Sequence, residues 1–130
     1  AMLRYLDQEQ SYAGRVNENY AREVMELHTL GVDAGYSQSD VTNLARLLTG
    51  WTTAREGDGM SAGEMRGWSF TFDPSLSEGG ATRVLGVAFE EAAPGERYDR
   101  VRHALGVLAS PPSTAPLVCA RVVVASALAC

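Results

Sequence analysis

The segment that most constrains the fold is Asn17–Trp51, NENYAREVMELHTLGVDAGYSQSDVTNLARLLTGW, because it carries two helical periods with stop and start signals between them. Val16, Tyr20, Val24 and Leu27 recur at helical spacing, and Ala21, Met25 and His28 widen the stripe, so a first helix is predicted over 18–30. Asn17 suits its N-cap, Gly31 the left-handed position after its end, and Val32 the apolar contact that follows. In the second period Ser37 and Asp40 form a shortened capping box, and Tyr36 and Val41 a hydrophobic staple. Val41, Leu44, Ala45 and Leu48 make its buried stripe, and Gly50 ends it. Two amphipathic helices this close in sequence must cover each other's apolar faces. A helical hairpin or corner is predicted, with Trp51 closing the junction.

Downstream, Thr52–Arg66 holds glycines and charges without a period and reads as a surface loop. Trp68, Phe70 and Phe72 alternate with Ser69 and Thr71, the pattern of a half-buried strand, and Arg83–Ala88 is its predicted partner. The aromatic residues Trp51, Trp68, Phe70 and Phe72 are expected to form core where this sheet meets the helices, in preference to a carbohydrate or partner groove. Tyr98, Val101, Leu105 and Leu108 mark a third helix stopped by Pro111-Pro112, and Ser113 or Thr114 can cap a last one. The segment 115–130 carries one charge, Arg121, and is too short to span a bilayer, which takes about 20 apolar residues. A helix apolar all round needs cover on every side, so an incomplete fold is expected. The expected class is mainly α, a helical hairpin or bundle segment with one small β-hairpin or two-strand element. Within one larger domain it divides into a helical region (1–51), a loop with the β element (52–90) and C-terminal helices (91–130).

Net charge is −5, with 11 basic residues, all Arg, against 16 acidic ones. Phosphate contacts dominate nucleic-acid affinity, so an acidic chain is a poor candidate for that partner, even though two capped helices with a short link outline a helix-turn-helix. Cys119 and Cys130 fit no zinc motif. On one helix they would lie roughly 16 Å apart, too far for a disulfide.

Asn19, Glu23 and Glu26 lie at i, i+4 and i+7 and would share one polar face of the first helix, with His28 in its last turn. Carboxylates and an imidazole so placed can act as acid and base or hold a metal, which makes these four the catalytic candidates. A structural role is the favoured reading, because Glu18, Arg22 and Glu26 form an i,i+4 ladder of the kind that supports a solvated helix. No metal or cofactor is expected. Glu26-x-His28 is not a di-iron spacing, and Asp33–Asp40 fails the calcium-loop pattern at its sixth and twelfth places. His103, between Val101 and Leu105, is read as structural. GxSxG, P-loop and GxGxxG motifs are all missing, so whether the chain is an enzyme is left open.

MLRYLD, NENYAREVMELHTLGVDAGYSQSDVTNLARLLTGW and, less closely, FTFDP, RVLG and LASPPSTAPLVCAR resemble the signature of the bacterial domain-of-unknown-function 1800 family. The resemblance implies an internal segment of a longer, often exported protein, extracytoplasmic when whole, with a sulfatase-like protein as a possible partner. It implies no established activity. Where the family pattern has His-Asp after FxFxP, this chain has Ser77-Glu78, and where it has Arg-His before a later Pro, this chain has Ser110-Pro111. Two functional classes follow: a structural or partner-binding segment, and a hydrolase acting on an envelope or polysaccharide substrate through Asn19, Glu23, Glu26 and His28.

Overall fold

The computed structural model describes residues 6–55 and 68–110, and the side chains of 6–53 and 70–110. The Pro-Pro stop, the last helix with its apolar run, both cysteines, residues 56–66 of the expected loop and the Trp68 side chain lie outside the described residues.

The elements run as a 3₁₀ turn (Gln8–Gln10), α1 (Asn19–Glu23), a π-helical continuation (Val24–Thr29), α2 (Gln38–Leu47), β1 (Trp51–Arg55), β2 (Trp68–Phe72), β3 (Thr82–Val84), β4 (Val87–Phe89), a second 3₁₀ turn (Pro94–Glu96) and α3 (Arg97–Ala109). The first predicted helix is present, but its second half is π-helical. Met25 O accepts from the N–H groups of both Leu30 and Gly31, and the Thr29 hydroxyl donates to Val24 O at 2.8 Å. Asn17 caps from one residue further out than expected: its Oδ1 accepts from Asn19 N–H at 3.0 Å while its Nδ2 reaches the carbonyls of Leu6 and Asp7. Gly31 adopts the expected left-handed conformation, with φ 96°. Val32 does not supply the expected apolar contact; it is 66% exposed.

α2 forms as its caps require. The Ser37 hydroxyl accepts from Asp40 N–H, and the Asp40 carboxylate accepts from Ser37 N–H at 2.8 Å. Val41, Leu44, Ala45 and Leu48 are buried, joined by Leu47. The core is where α1 and its π continuation (Ala21, Val24, Met25, Leu30) meet α2, the hairpin (Val84, Phe89) and α3 (Val101, Ala104, Leu108). Each large apolar side chain fully buried there contributes about 1.5–3 kcal/mol. A missed contact seals the end of α2: Gln8, buried in the polar segment 7–15, donates its Nε2 to Leu48 O at 2.8 Å, serving as a C-cap from forty residues away.

Among the described residues the helices are joined by two antiparallel two-stranded sheets where one small β element was expected, so mainly α describes the class only loosely. β1 begins at Trp51, runs into the segment read as loop and pairs with β2 in the register Trp51↔Phe72 and Thr53↔Phe70. Arg83–Ala88 does not pair with β2; it folds on itself, with Thr82 opposite Phe89 and Val84 opposite Val87. Leu85 and Gly86, both at positive φ, turn that hairpin. Gly50 aims β1. At φ 86° a Cβ would fall 2.5 Å from Asp73 O and 2.9 Å from the Ser77 Cβ, so no other residue fits.

The aromatic residues gather as expected, though not wholly inside. Trp51 meets Phe70 edge-on at 5.0 Å, and Tyr98 of α3 lies 5.5 Å from Phe72. Phe70 is 46% exposed.

Candidate functional site

The signature helix carries the four sequence candidates, and most of its polar groups are engaged in packing. Arg22 reaches Glu18 at 3.6 Å and Glu26 at 3.5 Å, which is the expected ladder. It also donates to Gln38 Oε1 of α2 at 3.0 Å. Gln38 in turn donates to Glu18 at 2.7 Å, and the Thr42 hydroxyl donates to the same carboxylate at 2.6 Å. A network of Glu18, Arg22, Gln38 and Thr42 therefore ties α1 to α2. Glu26 is also hydrogen-bonded by the Tyr36 hydroxyl. Burial first, then the charge and hydrogen bond of Glu26, raise the Tyr36 pKa above its ordinary value. Asn19 is exposed, and Glu23 and His28 are half-buried. The i, i+4, i+7 spacing implies one face only in a regular α-helix. The change to π-helical hydrogen bonding falls at Val24, between Glu23 and Glu26, so the spacing by itself no longer sets the face that Glu26 shares. Among the described residues no three His, Cys, Asp or Glu side chains come together as a metal site. His103 packs edge-on against Phe89, with centroids 5.4 Å apart.

The densest polar constellation lies on the loop between β2 and β3, where the chain has Ser77-Glu78. Asp73 starts this loop, its Oδ1 accepting from Ser75 N–H and hydroxyl, and those bonds outweigh desolvation to hold its pKa below the ordinary value. Glu78 is then gripped on every side. Its N–H donates to the buried Thr49 hydroxyl at 2.7 Å, and that hydroxyl donates to Arg46 O at 2.6 Å. Its carboxylate accepts from Arg46 Nε at 2.7 Å.

Two arginines of α3 hold the loop's backbone. Arg97 donates to Ser77 O at 2.7 Å, Pro74 O at 3.0 Å and Ala92 O at 3.1 Å. Arg100 donates to the carbonyls of Glu78 (2.8 Å), Gly80 (2.9 Å), Gly79 (3.0 Å) and Glu90 (2.8 Å). Burial, then the positive charges of Arg97 and Arg46, pull the Arg100 pKa below its ordinary value, against the opposing Glu78. Gly79 lets this happen: a Cβ there would sit 2.5 Å from the Arg97 guanidinium.

Three guanidiniums on one short loop were not foreseen. Arg97 and Arg100 lie outside the apolar stripe of the third helix, and their acceptors are main-chain carbonyls, which leave no sequence signal. What the sequence does offer is the Gly79-Gly80 pair, small enough for such side chains to approach, and a basic content made entirely of arginine, whose planar fork suits several acceptors at once.

The same cluster borders an open cavity between α2 and the β3–β4 hairpin, lined among others by Asn43, Arg46, Thr82 and Arg83. Asn43 donates to Arg83 O at 2.8 Å, and Asp40 accepts from Leu85 N–H at 2.8 Å, so the hairpin hangs on two side chains of α2. Burial works to raise the Asp40 pKa, but the bonds from Ser37 and Leu85 prevail and hold it below the ordinary value. No helix among the described residues is long and apolar enough to cross a membrane.

A family model described as "Protein of unknown function (DUF1800)" matches residues 1–125. No curated protein and no solved structure matches the chain. The match spans both the helical signature and the arginine-held loop, and the chain belongs to the DUF1800 family.

Proposed function

We propose that this segment is a structural scaffold that supports partner binding and performs no chemistry of its own. One observation carries the reading: the strongest polar groups of the described residues are directed at the chain's own backbone. Arg97 and Arg100 address seven carbonyls of 74–92, and Glu78 is engaged through its N–H, its carbonyl and its carboxylate. Groups fixed this way hold a surface in shape but are not available to exchange protons with a substrate. On family resemblance, the scaffold serves a larger exported protein that works beside a sulfatase-like partner.

A hydrolase acting on an envelope or polysaccharide substrate is the second reading. The π-helical stretch under Glu26 and His28 favours it, since such distortions occur frequently at functional sites. Calorimetry with Mg²⁺, Mn²⁺, Ca²⁺ and Zn²⁺ on the full chain separates the two. The scaffold reading expects no saturable heat, and unchanged binding behaviour in Glu23→Gln and Glu26→Gln. A stoichiometric ion whose binding is lost in Glu23→Gln would overturn it.

A further inference from the structure

The cavity between α2 and the β3–β4 hairpin has features that packing does not explain. Asn43, Arg46, Thr82, Arg83, Phe89 and Glu90 line a volume of about 420 Å³. Small-molecule sites run to about 300–1,000 Å³, so a compact ligand fits. Arg46 gives Glu78 only its Nε, and its two terminal amino groups make no hydrogen bond among the described residues. Arg83 is exposed, and its guanidinium likewise has no hydrogen bond among the described residues, although its carbonyl is pinned by Asn43 at 2.8 Å. The Thr82 hydroxyl of the same lining is buried and makes no hydrogen bond among the described residues. Arg97 and Arg100 stand behind Arg46 and add to the positive field, which Glu78 offsets only in part.

Glu90, one residue beyond β4, borders the same cavity and brings a negative charge to it. Glu90 is exposed, and Arg100 holds its carbonyl at 2.8 Å, so the residue is fixed in place and its carboxylate can accept from donors on a ligand. Phe89 gives an apolar wall beside it. Two guanidiniums match a carboxylate or phosphate, and a carboxylate in the same lining matches hydroxyl groups.

We propose that this cavity binds a small hydroxylated acid, its anionic group on Arg46 and Arg83 and its hydroxyl groups toward Glu90. The site goes beyond the scaffold reading and stands or falls apart from it, since binding here requires no chemistry. The test is a heteronuclear NMR titration of the full chain at constant ionic strength with glucuronate, inorganic phosphate and glucose. Glucuronate should give saturable shifts at the amides of Thr82, Arg83 and Phe89 and at the Asn43 side chain. Phosphate should shift the same signals more weakly, and glucose should leave them in place. Arg83→Ala, which breaks no hydrogen bond of the described fold, should weaken glucuronate about tenfold, as expected for loss of one charge-assisted pair. Glu90→Gln should narrow the gap between glucuronate and phosphate. Absence of a saturable shift with either anion, unchanged affinity in Arg83→Ala, or phosphate binding as tightly as glucuronate would overturn the proposal.

Discussion

The helical signature and the Ser77-Glu78 loop are both rich in charge, yet they use it differently. On α1, Arg22 is 40% exposed and meets its acidic partners within one turn on either side. On the loop, Arg97 and Arg100 reach twenty and more residues back in sequence to bare carbonyls. The ion pairs of the first arrangement are local and water-screened, the kind that contributes about 0–1 kcal/mol, and only the neutral partners Gln38 and Thr42 extend them to α2. The second replaces water at main-chain groups and so decides where a length of backbone lies. Charge visible in sequence as a ladder mainly supports its own helix, whereas charge aimed at backbone sets the path of a distant segment.

Truncating the long-range clamp should have the largest effect. Arg100→Ala leaves four carbonyls without their donor and is expected to cost about 3 kcal/mol or more in chemical denaturation, because hydrogen bonds to charged groups carry about 1.5–3 kcal/mol each and water recovers part of that. Asp40→Ala sits between the two regimes, since Asp40 closes the capping box of α2 and also anchors Leu85 of the hairpin turn. About 2 kcal/mol is expected from the lost cap together with one long-range bond.

Asp40 also sets an acid dependence. Its folded pKa lies below the ordinary 3.8, so the unfolded chain takes up the proton first as pH falls. The stabilisation is therefore complete above the ordinary value and disappears as pH drops through the folded one. Denaturation curves between pH 5 and pH 2 should show this loss in the native chain and a shallower one in Asp40→Asn.

Arg22→Ala should cost under about 1 kcal/mol, and added salt should shrink the difference. Glu23→Gln should stay within about 0.5 kcal/mol of the native chain. If Arg22→Ala proves as damaging as Arg100→Ala, the contrast between local and long-range charge is wrong.

The same contrast explains what the sequence revealed. Ser37, Asp40, Val41, Leu44 and Leu48 announce α2 because caps and period act within a few residues. The same holds for Gly31 and, in α3, for Val101 and Leu108, whereas Tyr98 is exposed, Leu105 is half-buried and the buried Ala104 was not among the expected positions. β1 was hidden because Trp51-Thr-Thr-Ala-Arg has no clean alternation and becomes a strand only against β2. The β3–β4 hairpin was read as a single strand because Leu85 at its turn is a residue that rarely takes positive φ. The π-helical turn left no mark in the apolar stripe of the first helix. Of the site, Ser77-Glu78 stood out only as a departure from the family pattern. Its partners Arg46, Arg97 and Arg100 act through guanidiniums that any exposed arginine also has.

Native-state hydrogen exchange at the Glu78 amide, in the full chain and in Arg100→Ala, tests the central claim most directly. The Glu78 N–H donates to a hydroxyl in the buried Thr49, so its exchange reports whether the loop is held. The clamp account predicts strong protection in the native chain. In Arg100→Ala that protection should collapse while the amides of Leu44 and Ala45 in α2 stay protected. A Glu78 amide that exchanges freely in the native chain, or equally slowly in both proteins, would contradict it.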